Sequence, residues 1–144
     1  MFIRQHGFHP VRPIRIRVTL AVALALLAAC GAGAAGDATR GKKLFDGETP
    51  IAAGKMPTCV GCHPVEPGKQ TGAGPNLSNI GNRAGTTVKD MSAQDYLRQS
   101  IVDPDAYLAG GYQEGIHPKG YGDVLTQQQI DDLIAYMLTL KSGE

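Results

Sequence analysis

Cys59-Val60-Gly61-Cys62-His63 is the stretch on which the reading of this chain turns. Two thiols three residues apart, with an imidazole directly after the second, form a C-x-x-C-H sequence, the attachment signature for a c-type haem. The spacing has a chemical reason. Each thiol bonds to one of two vinyl-derived carbons on the porphyrin edge, a turn of helix brings both to one side, and the adjacent imidazole reaches iron from the proximal face. Gly61 leaves room for backbone to approach the ring. Three other uses compete. A thioredoxin-like redox pair expects a βαβ context, and no alternating strand pattern of useful length occurs. A structural zinc site would draw on Cys59, Cys62, His63 and His117, although ligation by the neighbours Cys62 and His63 is awkward. A simple disulfide suits an oxidising compartment. One covalent haem c with its iron is the cofactor expected here.

Upstream, residues 1–17 carry Arg4, Arg12, Arg15 and Arg17 and no acid, and residues 18–29 are an uncharged apolar run. A basic segment before a short apolar run reads as a secretory signal; a membrane-spanning helix needs about 20 residues. An N-terminal anchor or a buried helix is the alternative. The run ends in Leu27-Ala28-Ala29-Cys30, which resembles a bacterial lipobox whose cysteine is acylated. The alternative is a signal peptide cut near Ala35. The expected division is a lipoprotein signal over residues 1–29, a flexible tether over 30–36 after lipidated Cys30, and one domain over 37–144. Each buried acyl CH₂ contributes about 0.8 kcal/mol, so several chains on one cysteine anchor firmly. The three cysteines then divide into one for lipid and two for haem. Removing the signal takes four arginines and no acid, leaving a net charge of −3. No basic patch suggests nucleic-acid binding.

Within the domain, Asp37 is an N-cap candidate ahead of a short helix reaching Leu44 and Phe45. Residues 46–57 read as loop. Residues 64–88 hold Pro64, Pro67, Gly68, Gly72, Gly74, Pro75, Gly81 and Gly85, a density of breakers that argues against long regular structure. Ser92-Ala-Gln-Asp95 resembles a capping box opening a helix that Asp103-Pro104 ends. Residues 104–125 read as another loop. Thr126 and Gln129 form a second capping box, followed by Ile130, Leu133, Ile134, Met137 and Leu138 at helical spacing. The acidic pair Asp131-Asp132 reads as a solvated first turn. The fold class expected is all-α, with three to five helices and long Gly/Pro-rich loops. Aromatics are 6% of the chain and Trp is absent, so the core looks thin for so much ordered loop, and a large apolar cofactor would supply the missing surface.

Residues from about Asp37 to Lys141 resemble a class I c-type cytochrome of the mono-haem kind. Gly41-Lys-Lys-Leu-Phe45 is similar to that family's N-terminal helix, whose glycine packs on an aromatic of the last helix; Tyr136 is the matching residue. Gly74-Pro75-Asn76-Leu77 resembles the family's G-P-x-L segment. The resemblance implies that the Pro75 carbonyl accepts a hydrogen bond from His63, orienting the ligand and raising its basicity. Tyr96 to Pro104, Ala106-Tyr107, Gly111-Tyr112 and Leu125-Thr126 resemble a narrower group, the cytochrome c domains of membrane respiratory complexes. Arg83 has two readings, a propionate contact or a solvated loop arginine. Tyr107, Tyr112 and Tyr121 are either pocket-lining or ordinary core residues.

The chain departs from the family at one position. Where relatives place Met-Pro before the last helix, this sequence has Ile116-His117-Pro118. His117 is the only mature histidine besides His63, and Met56, Met91 and Met137 stand in unfavourable places. His117 is therefore expected as the second iron ligand, the alternative being a surface loop histidine. Imidazole in place of thioether lowers the reduction potential. The implied role is electron transfer on the outer face of a bacterial membrane, between redox partner proteins of a respiratory chain, with no small-molecule substrate and no enzymatic activity. The alternative is a haem-based sensor or small-gas binder in which His117 is displaced.

Overall fold

The computed structural model describes residues 35–142. The expected signal segment and Cys30 lie outside the described residues, as does the expected tether up to residue 34. The described part holds five α-helices and no strands, the all-α class expected: α1 Ala38–Asp46, α2 Ile80–Thr87, α3 Ala93–Val102, α4 Tyr121–Val124 and α5 Gln127–Thr139. No helix among the described residues is long and apolar enough to cross a membrane.

Three helix starts follow from their caps. Asp37 accepts from the Arg40 N–H at 2.9 Å, Ser92 from the Asp95 N–H at 3.1 Å, and Thr126 and Gln129 bond reciprocally in a full capping box. Each cap satisfies amide groups that the first turn leaves without partners. α3 stops where the residue before Pro104 leaves the helical region, with Asp103 at ψ 70.

The core forms where α1 crosses α5. Gly41, Leu44 and Phe45 share one face of α1 at i, i+3 and i+4, and all three are buried. A Cβ at Gly41 would stand 1.9 Å from the Asp132 carbonyl oxygen and 2.9 Å from Tyr136 Cβ, so only glycine permits this approach. Phe45 then meets Tyr136 edge to face, with centroids 5.3 Å apart. Leu97 of α3 and Ile130, Leu133, Ile134 and Met137 of α5 complete the packing.

The close crossing overturns the expectation for Asp132. Rather than a solvated first-turn acid, it is 2% exposed. Its carboxylate accepts Arg40 Nε at 2.7 Å and Arg40 Nη2 at 2.8 Å, the Asp37 N–H at 2.7 Å and Gln128 Nε2 at 2.9 Å. The Arg40 hydrogen bonds, despite burial, hold its carboxyl down at about 2.

Two loop expectations also change. Residues 80–87 form α2 despite Gly81 and Gly85. At Gly81 the missing side chain serves packing, since a Cβ would lie 2.5 Å from the Leu138 carbonyl oxygen, and its N–H donates to Leu140 O at 2.9 Å. Residues 104–125 contain a 3₁₀ turn, Pro104–Ala106, and α4. The packed structure also begins earlier than composition suggests. Gly36, assigned to the tether, lies against α5, where a Cβ would be 2.1 Å from the Asp131 carbonyl oxygen.

Candidate functional site

Cys59–Gly61 forms a 3₁₀ turn, with Cys62 N–H bonded to Cys59 O at 3.1 Å and His63 N–H to the same oxygen at 2.9 Å. Residues i and i+3 eclipse on such a turn, so Cys62 follows directly over Cys59. Cys59 and Cys62 are not joined in a disulfide. Burial pushes the Cys59 thiol up to about 11. Among the described residues no three His, Cys, Asp or Glu side chains converge to hold a metal ion, which leaves the structural zinc site without support.

His63 is seated by the loop that follows. Its Nδ1 lies 3.0 Å from Pro75 O. A carbonyl only accepts, so the contact makes Nδ1 the protonated nitrogen and leaves the Nε2 lone pair free. Gly74 forms the wall behind the ring: a Cβ there would stand 2.6 Å from His63 Cε1 and 2.9 Å from Nδ1. Burial lowers the His63 pKa, and the proximity of His117 lowers it further against the opposing pull of Pro75 O, so the ring is neutral at neutral pH. Asn76 braces the same loop. Its Nδ2 donates to Glu66 O at 2.7 Å and Lys69 O at 2.8 Å, and its Oδ1 accepts from the Ser78 N–H at 2.7 Å.

Across a cavity of about 220 Å³ stands His117. Its ring centroid is 6.0 Å from that of His63, with the planes inclined at 43°. Its Nδ1 lies 3.0 Å from Pro118 O, so Nδ1 carries the proton that the carbonyl accepts. Tyr121 packs edge-on against His117, 5.7 Å between centroids, and donates its hydroxyl to Pro57 O at 2.8 Å. Burial first, then the nearby Cys59 and Cys62, push the Tyr121 hydroxyl up to about 12, so it stays a donor. Leu77, Ile80, Leu97, Ile101 and Tyr96 supply apolar walls.

The cytochrome c family profile matches residues 38–141. The chain belongs to the cytochrome c family. It is a haem-containing electron-transfer protein whose cofactor is covalent haem c with its iron. Over 88 residues it is 32% identical to a protein of Bacillus sp. (strain PS3) named cytochrome c oxidase subunit 2, a match covering 58% of this chain and 23% of that protein. The chain thus spans less than a quarter of that relative's length. No solved structure matches significantly.

The cavity fits what this cytochrome must hold. A metal–imidazole bond is about 2 Å, and two such bonds back to back separate the ring centroids by roughly 6 Å. The two imidazoles stand at that spacing, with Cys62, Pro75 and mostly apolar side chains around them.

Not every expected residue comes together here. Tyr107, Tyr112 and Tyr121 all line the cavity, but only Tyr121 is also buried in the core. Arg83 is in α2 and not in a loop, is not among the cavity-lining residues, and donates from Nη2 to Asn76 O at 2.8 Å. Its placement therefore lends no support to a propionate contact. Met137, set aside in the sequence, does line the cavity from α5. Met91 precedes α3 and does not line the cavity; nor does Met56. Sequence reasoning missed two further residues. Asn76 belonged to a quoted motif but gave no sign of its bracing role, and Asp105, which also lines the cavity, looked like any loop acid.

Proposed function

We propose that this cytochrome is a lipid-anchored, single-haem electron carrier whose iron is held by His63 and His117. Cys59 and Cys62 carry the porphyrin through thioether bonds. The observation that supports the axial pair best is the placement of two imidazoles 6.0 Å apart between centroids, each with Nδ1 on a backbone carbonyl. The haem supplies a reversible one-electron couple of iron. The protein's own residues do the rest. Pro75 O fixes the His63 tautomer and strengthens it as a donor. The apolar walls exclude water, and Tyr121 holds the second imidazole.

With His63 and His117 both holding the iron, no coordination site would be open to a substrate, which argues for transfer and against catalysis. Bis-imidazole ligation favours a potential below that of Met-ligated relatives. Cleavage of residues 1–29 and acylation of Cys30, followed by the short tether, would hold the domain at the outer surface of a bacterial membrane, in the periplasm or at the cell exterior. The similarity to a cytochrome c oxidase subunit 2 supports redox partners within a membrane respiratory chain.

The test is a redox titration with spectra of the matured holoprotein. Expected are one haem per chain surviving denaturation, a low-spin spectrum without the weak far-red band of thioether ligation, and a carbon monoxide adduct that forms only slowly. His117→Ala should open the iron to carbon monoxide. A thioether band in the wild type would point to Met137, and an unchanged His117→Ala spectrum would remove His117 from the iron. Immediate, complete carbon monoxide binding by the wild type would favour a gas sensor.

A further inference from the structure

The segment that carries His117 has little to hold it in place on its own. It runs between two glycines in the left-handed region, Gly115 at φ 79 and Gly120 at φ 94, and forms no regular helix or strand between them. Ile116 is 56% exposed. The contact of His117 Nδ1 with Pro118 O joins neighbouring residues and travels with the loop, so it anchors nothing. Tyr121 restrains the segment from its C-terminal side.

A second restraint comes from a different part of the chain. Asp105 sits in the 3₁₀ turn Pro104–Ala106, just beyond the C-terminus of α3. Its Oδ1 accepts from the Gly115 N–H at 3.0 Å. Its buried Oδ2 meets Lys119 Nζ at 2.6 Å, an ion pair short of good hydrogen-bond alignment. The side chain is only 13% exposed, whereas that of Lys119 is 66% exposed. One carboxylate thus ties the residue two before His117 and the residue two after it to the end of α3. The Gly115 N–H and the Lys119 ammonium both keep it ionised at neutral pH.

We propose that Asp105 is a positioning residue that clamps the His117 loop and so sets how readily His117 leaves the iron. The inference rests on His117 being the axial ligand. Asp105 also lines the cavity, but in this role it acts through the loop, by fixing both shoulders of the ligand. A hydrogen bond to a charged group is stronger than a neutral one, and the bridge holds two loop positions at once. Losing it should raise the population of the open form by about tenfold or more.

The experiment is stopped-flow carbon monoxide binding to the reduced holoprotein, with absorption spectra in parallel. Carbon monoxide binds only after His117 departs, so the rate reports opening. Asp105→Ala should accelerate binding by about tenfold or more. Asp105→Asn, which keeps an acceptor for Gly115, and Lys119→Met, which removes the same ion pair from the other side, should fall between. Molar potassium chloride should move the wild type toward Asp105→Asn and leave Asp105→Ala unchanged, because the pair is open to screening through Lys119. Asp132→Asn, bonded to Arg40 at the crossing of α1 and α5 and outside the cavity, serves as the control for general destabilisation and should keep the wild-type rate.

Wild-type kinetics in Asp105→Ala, beside rapid binding in His117→Ala, would overturn the clamp and leave the axial reading standing. Acceleration of the Asp132→Asn control to the same degree would also overturn it. An unchanged His117→Ala spectrum would mean that the axial reading has failed, and the clamp with it. If Asp105→Ala does not mature, the Asp105→Asn and Lys119→Met pair and the salt series decide the question alone.

Discussion

Gly74→Ala should damage the site without touching the attachment motif. An ordinary carbon–carbon contact is about 3.5–4.0 Å. The new Cβ would lie 2.6 Å from His63 Cε1, 2.9 Å from its Nδ1 and 3.1 Å from Cys62 O. The imidazole must therefore shift by about 1 Å, or the Gly74–Pro75 backbone must retreat by as much. Either movement stretches the 3.0 Å contact between Nδ1 and Pro75 O. Overpacking of this kind costs about 1–3 kcal/mol. Weakening the Nδ1–H bond also makes the imidazole a poorer donor, which destabilises ferric iron and raises the potential. The assays are urea unfolding of the holoprotein and a spectroscopic redox titration. Gly110→Ala is the control, because a Cβ there meets nothing within 4 Å, and it should stay within about 0.5 kcal/mol of wild type. If Gly74→Ala matches that control in both stability and potential, the glycine is not the wall that seats His63.

Gly41→Ala places a methyl 1.9 Å from the Asp132 carbonyl oxygen, so α1 and α5 must separate; a loss of about 3 kcal/mol is expected by urea unfolding, and a loss below half of that would mean the crossing is softer than it looks. The Asp132 carboxyl, held at about 2 in the folded protein against an ordinary 3.8, contributes stability that is full above about pH 4 and is lost as pH falls through about 2. The amount is about 1–2 kcal/mol once screening at half-exposed Arg40 is allowed for, and Asp132→Asn should flatten the acid limb of a stability–pH curve; an unchanged limb would exclude Asp132 as its source. Cys30→Ser should shift the protein from the membrane fraction to the soluble one in cell fractionation, and unchanged membrane association would transfer the anchoring to another contact.

The helix caps were legible because they are local. Asp37, Ser92 and Thr126 each lie within three residues of the amide they satisfy, so a short window of sequence contains the whole interaction. α2 was not legible for the opposite reason. A glycine that allows a turn and a glycine that allows another backbone to approach look alike in sequence, and Gly81 is the second kind, facing residues nearly 60 positions away. Asp132 fails in the same manner: its partner Arg40 lies 92 residues off, and only the crossing at Gly41 brings them together. The attachment turn at 59–63 could be read directly. The reason for Gly74 could not, since it depends on where the His63 ring comes to rest. Arg83 illustrates the cost of reading a helix as loop, because its position in α2 gives its guanidinium a backbone carbonyl at Asn76 to meet.

The two imidazoles are held with unequal firmness, and that asymmetry bears on what the site does. His63 is fixed by one continuous stretch. The cysteine turn precedes it, the Leu77 N–H bonds back to Pro64 O at 2.8 Å, and Asn76 ties the intervening loop to itself. Nothing in that stretch opens without breaking several hydrogen bonds together. His117 is held instead by side chains from separate segments, Tyr121 reaching Pro57 and Asp105 reaching Gly115 and Lys119, with a left-handed glycine on each side as a hinge. On the proposed ligation, exchange at the iron would therefore proceed from the His117 side. A carrier needs that side closed and a sensor needs it to open, so the strength of the restraints around His117 decides between the two roles on one and the same fold.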